Sequence, residues 1–126
     1  MRNEKQFQGW RSEQIVKVFL LNSGLFDVAE NYSPSDRGID FIAIHKEKNR
    51  KFNIDVKATK YSRSEILRKY SNHIDDFRSP MIQFYVDYDK ETGYFRLTTN
   101  HYKSNLNKMI RNEFISEIKN YAQHWL

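Results

Sequence analysis

Two short runs of alternating character constrain this chain more than anything else in it. They are Gly38-Ile39-Asp40-Phe41-Ile42-Ala43-Ile44 and Phe52-Asn53-Ile54-Asp55-Val56-Lys57-Ala58, separated by the charged stretch His45 to Lys51. A period of two marks strands, and a short polar connection between strands makes a hairpin. With the hairpin symmetric about Glu47 and Lys48, Asp40 lies directly opposite Asp55, their Cβ atoms about 4.5–5.5 Å apart. Carboxylates that close repel each other unless a cation sits between them. Lys57, two residues beyond Asp55, shares its face. Ile42 and Ile44 fall on the Asp40 face, and Phe52, Ile54, Val56 and Ala58 on the other, so the second strand reads as interior. On a solvated face, Asp-x-Lys is a weak ion pair and nothing more. Beside a covered sheet, a carboxylate pair needs a cation, a shared proton or a functional role.

The length of 126 residues fits one domain, spanning 1–126, with a real hydrophobic core, for which eight Tyr and nine Phe supply large side chains. The formal net charge of +5 and pI near 9.4 favour an anionic partner. Between His45 and Lys69 the bases Lys46, Lys48, Arg50, Lys51, Lys57, Lys60, Arg63, Arg68 and Lys69 far outweigh the acids Glu47, Asp55 and Glu65. A polyphosphate partner would be met by such an excess; a Lys-rich solvated surface has the same composition. The absence of cysteine excludes disulfides, thiolate zinc sites and cysteine nucleophiles. The N-terminus has no signal-peptide pattern and no window is long and apolar enough for a membrane span, so a soluble, cytoplasmic protein is expected.

Gly9 to Ser23 reads as a first helix stopped by Gly24. Its apolar residues wrap most of the circumference, which predicts a largely buried helix. Glu13 shares a stripe with Gly9, Val16 and Leu20. An acid there is costly unless paired or metal-bound; the plain alternative is an i+4 pair with Lys17. Phe26 to Tyr32 reads as a strand and Ser33 to Gly38 as a loop. After the hairpin, Ser62-Arg63-Ser64-Glu65 fits a capping box, opening a helix over about Arg63 to Phe77. Met81 to Tyr88 and Tyr94 to Thr98 read as strands around a turn, and a long terminal helix is predicted from Ser104. The order α-β-β-β-α-β-β-α gives an α/β domain, a central mixed sheet of about five strands flanked by helices.

Three pieces in chain order, Gly9-x-x-x-Glu13, Gly38-Ile39-Asp40 and Asp55-Val56-Lys57, resemble the PD-(D/E)xK nuclease superfamily. The outline is most similar to small Holliday-junction-resolvase-like and Mrr-like endonucleases. The resemblance covers roughly the first two-thirds of the chain and implies a restriction-endonuclease-like core. Ile39 stands where the literal motif has Pro, and the second acid is Asp55, one methylene shorter than the commoner Glu.

The resemblance implies a Mg²⁺-dependent nuclease, with Mn²⁺ able to substitute, that hydrolyses phosphodiesters, of DNA above all, including branched or structure-selected DNA. Asp40, Asp55 and the Val56 carbonyl would be metal ligands, and Glu13 would bind the metal or its water. Mg²⁺ takes oxygen ligands and keeps several waters. Lys57 would orient the attacking water and offset charge on the phosphate. Arg37, Lys60, Tyr61 and Arg63 are candidates for nucleic-acid contacts, each equally readable as an ordinary exposed side chain. His45, His73, His101 and His124 lack metal-site spacing, and no phosphate-binding glycine loop is present. A catalytically inactive nuclease-fold module that binds nucleic acid or a protein partner is the rival reading, and an immunity or assembly factor a third. Intact Asp, Asp and Lys weigh against decay of a site. A homodimer is expected by analogy with paired nuclease domains that cut both strands.

Overall fold

The computed structural model describes residues 4–30, 39–70, 80–99 and 103–122. Its elements are α1 (Glu4–Asn22), β1 (Phe26–Glu30), β2 (Phe41–His45), β3 (Arg50–Ala58), α2 (Arg63–Lys69), β4 (Met81–Asp87), β5 (Thr92–Thr98), β6 (Asn107–Lys108) and α3 (Arg111–Ala122). The strands form one mixed six-stranded sheet in the order β1-β2-β3-β4-β5-β6, antiparallel throughout except for parallel β3 and β4.

The β2–β3 hairpin has the register that symmetry about Glu47 and Lys48 predicts, from Phe41 opposite Ile54 to His45 opposite Arg50. His45 closes the turn, its carbonyl accepting from Asn49 N–H (2.7 Å) and its Nδ1 from Lys48 N–H (3.1 Å). Asn49 adopts φ 52°, a left-handed conformation that Asn tolerates better than most residues. His45 is therefore a buried turn residue, edge-on to Phe26 at 5.4 Å.

The period of two sorts the strands into two faces. Phe41, Phe52, Ile54, Phe84, Phe95 and Leu97 meet α1 and α3 in the main core, where Phe114 touches the rings of Phe19, Phe26, Phe84 and Phe95 at 5.1–6.2 Å. On the other face Tyr85 packs with Ile66 of α2 and with Leu106. The capping box of α2 is present: Ser62 Oγ accepts from Glu65 N–H, and Glu65 Oε1 accepts from Ser62 N–H at 3.2 Å.

Three expectations need correction. First, α1 starts at Glu4 and is not largely buried: Phe7, Trp10, Val18 and Leu21 are each 42–55% exposed. A helix that meets a sheet on one side cannot bury apolar residues placed all round it. Second, the last helix starts at Arg111, not Ser104. Pairing with the β5 edge wins there: Ser104 N–H bonds Leu97 O (2.8 Å), Ser104 Oγ accepts from Leu97 N–H (2.9 Å), and Met109 N–H bonds Gly93 O (2.8 Å). Third, the resulting β6 makes the sheet six-stranded rather than five-stranded. The predicted extension of α2 to Phe77, together with Trp125, His73, His101 and His124, lies outside the described residues.

Candidate active site

Along β3 the main-chain groups alternate between the two neighbouring strands. Asn53 and Thr59 donate toward β4, to Pro80 O (2.9 Å) and Val86 O (2.8 Å). Ile54 and Val56 face the β2 side. There the ladder slips: Asp40 N–H donates to the carbonyl of Ile54 (2.8 Å), the residue already paired with Phe41. The paired register thus stops one residue short of Asp40 opposite Asp55. In its place Asp40 Oδ2 accepts from Val56 N–H at 2.7 Å. The carboxylate stands where the next acceptor of β2 would have been, in line with the sheet. The C=O of a strand residue points the same way as its N–H, so the Val56 carbonyl is directed to the same edge.

That position makes Asp40 reachable from both faces. Asp55 and Lys57 alternate with Ile54 and Val56 and so lie on the α2 face. Asp55 is buried, 1% exposed, with Lys57 Nζ 3.6 Å from its Oδ1. Glu13 comes from α1 on the opposite face, half-buried on the stripe that carries the fully buried Val16 and Leu20. Lys17 does not close an i+4 ion pair with it but bonds Glu30 Oε1 at 2.8 Å.

The electrostatics record this convergence. Desolvation raises the Asp40 pKa, the negative charge of Asp55 raises it further, and the Val56 N–H and Lys57 work against both. Burial likewise raises that of Glu13, followed by the charge of Asp40, with Lys17 opposing. Asp40 is thus coupled to an acid on either side of the sheet. Among the described residues no three His, Asp or Glu side chains form a ready metal cage. Mg²⁺ needs none, being held by one or two carboxylates with water completing its shell. Asp40, Asp55 and the Val56 carbonyl are hard oxygen donors of the right kind, and a cation would relieve the repulsion between the acids.

Lys60, Tyr61 and Arg63 follow directly from the Lys57 end of β3 into α2. Lys60 is exposed and pairs with Asp89 at 2.6 Å. Lys69 lies 4.8 Å from the Tyr61 ring centroid. Arg63 is exposed at the start of α2, and Arg37 lies outside the described residues. The basic stretch divides in space: Lys46, Lys48, Arg50 and Lys51 sit at the turn end of the hairpin, about 16 Å along β3 from Asp55 at the usual rise per residue. In its later half, Lys57 lies beside Asp55.

Beside Asp55 lies a polar row that the motif reading missed. Asp55 pairs laterally with Gln83 of β4, and Gln83 with Arg96 of β5. All three are buried. Arg96 donates to Gln83 Oε1 through Nε (3.1 Å) and a terminal nitrogen (2.9 Å), and also to Tyr85 Oη (3.0 Å) and Tyr70 O (3.2 Å). Burial pushes the Tyr85 phenol up to about 12, so it accepts from Arg96 as a neutral group. A signal was available: Gln83 and Arg96 interrupt two apolar strand runs.

Against known proteins, a family model described as restriction endonuclease matches residues 10–124, nearly the whole chain. No curated protein and no solved structure matches it.

Proposed function

The chain belongs to the restriction endonuclease family, as an Mrr-like member of the PD-(D/E)xK nucleases, and on that premise we propose that it hydrolyses DNA phosphodiesters with Mg²⁺ at Glu13, Asp40, Asp55 and Lys57. The observation that carries this reading is the Asp40 carboxylate at the end of β2, coupled to Glu13 on one side and to Asp55 with its Lys57 partner on the other. Nuclease action follows from the family; the metal, the residues and the substrate form are our reading.

Asp40, Asp55 and the Val56 carbonyl would hold the cation, with Glu13 binding it or its water. When bound, Mg²⁺ lowers the pKa of its water and stabilises charge on the phosphate. Val56 N–H keeps the Asp40 carboxylate in place through their 2.7 Å bond. Lys57, part-exposed beside Asp55, orients the attacking water and offsets the charge gathering on the phosphate. Lys60, Tyr61 and Arg63, which follow Lys57 along the chain, would grip flanking phosphates and stack on a base or sugar, with Arg37 as a further candidate. The Lys60–Asp89 pair is solvent-exposed and weak, so a phosphate can replace Asp89. A homodimer, one centre per strand, completes the proposal for duplex DNA.

Labelled single-stranded, duplex and branched DNA, and RNA, incubated with Mg²⁺, Mn²⁺ or EDTA, test it. Metal-dependent cutting that disappears in Asp55→Asn and Lys57→Ala is expected. Salt-dependent binding without cutting would make the protein a binding module instead.

A further inference from the structure

The proposed centre leaves a buried cation without a role. Arg96 is 3% exposed, and no ion pair joins it to a carboxylate among the described residues. Two of its donors converge instead on Gln83 Oε1. A guanidinium has only donors to offer, so the Gln83 amide must turn its oxygen to Arg96 and its NH₂ the other way. The lateral neighbour on that other side is Asp55. A carboxylate as buried as Asp55 is held by donors, and the Gln83 NH₂ is placed to be one of them.

We propose that Arg96 and Gln83 are positioning residues for the candidate metal-binding carboxylate: Arg96 locks the Gln83 amide, and the amide NH₂ donates to Asp55, holding it in one rotamer beside Asp40. This rests on the reading of Asp55 as a metal ligand. A purely structural network uses Gln83 only as an acceptor for Arg96. The donor half of the amide is what positioning requires.

Gln83→Glu separates the two. It keeps an acceptor for Arg96, and with it the fold, but presents an acceptor rather than a donor to Asp55. Arg96→Met is the second variant, removing the lock while filling the space. In the full-length, metal-free protein, the Gln83 side-chain amide signal in ¹⁵N NMR, assigned by its loss in Gln83→Glu, is expected to exchange slowly with solvent and to shift in Asp55→Asn. Gln83→Glu is expected to stay folded, its charge pair with Arg96 offsetting the donor lost to Asp55, yet lose about 10–100-fold in cleavage at saturating Mg²⁺. An amide signal indifferent to Asp55→Asn overturns the proposal. So does wild-type cleavage by Gln83→Glu while Asp55→Asn is dead. If Arg96→Met does not fold, Gln83→Glu decides. If the wild type neither binds Mg²⁺ by calorimetry nor cuts, the functional reading fails, and the NMR result alone decides the hydrogen bond.

Discussion

Removing the charge of Asp40 and removing its hydrogen bond are expected to have opposite effects on stability. Asp40→Asn retains an acceptor for Val56 N–H while abolishing the repulsion from Asp55 and Glu13. Asp40→Ala abolishes both, leaving the Val56 N–H beyond the end of β2 without its 2.7 Å partner. Hydrogen bonds to charged groups contribute about 1.5–3 kcal/mol, and because Asp40 is open to water, which can replace the acceptor, a reduced value of roughly 1–2 kcal/mol applies. In a domain of this size that separates the two variants by roughly 4–8 °C in melting temperature. Thermal unfolding at pH 8 without divalent cations is the assay, with Asn expected at or above wild type and Ala below both. The pH dependence has a defined sign. The Asp40 pKa is raised in the folded state above its ordinary 3.8, so wild type loses stability relative to Asn as pH rises through that window. The Asn advantage is therefore full above the folded value and gone below 3.8. Equal stability of Asn and Ala at pH 8 would refute the claim that the carboxylate closes the ladder.

Three other outcomes are expected. Gly93→Ala should cost about 3 kcal/mol or more, because a Cβ there would lie 2.2 Å from the Tyr85 carbonyl oxygen, in backbone that cannot yield; a melting temperature within a degree or two of wild type would show that β4 and β5 can part. Phe114→Ala should cost about 3–5 kcal/mol by emptying the ring cluster, measured by denaturant unfolding with the slope unchanged. Lys57→Ala should reduce single-turnover cleavage by about 10²–10³-fold with only a small change in melting temperature, since its pair with Asp55 is long and part-exposed.

The strands were legible because period-two alternation survives in the sequence. The hairpin register followed from the same alternation and a polar turn, and the α2 cap from the spacing of Ser62 and Glu65. Where non-local contacts decided, the sequence misled. Gly9 looked like a helix start, yet a single interior glycine costs only about 1 kcal/mol, which a nineteen-residue helix absorbs. Ser104 to Ile110 looked helical because an edge strand offering partners is invisible to local pattern. The residue types of the candidate site could be read off, but not the slip at Asp40 that sets its carboxylate in line with the sheet. Nor could the lateral row from Asp55 to Arg96, which joins three strands far apart in sequence.

Strand order across the sheet is also chain order, and this bears on how the molecule assembles. Two of the antiparallel pairs, β2–β3 and β4–β5, are joined by the short turns 46–49 and 88–91, so they can zip while the chain is still expanded, with little loop entropy to overcome. The parallel seam of β3 and β4, by contrast, needs a crossover containing α2 before it can close. Asp40 and Asp55 are brought together by the early hairpin, whereas Gln83 and Arg96 join Asp55 only when the seam forms. Loop closure of this kind is expected to set the two acids side by side before the polar row that backs them is complete.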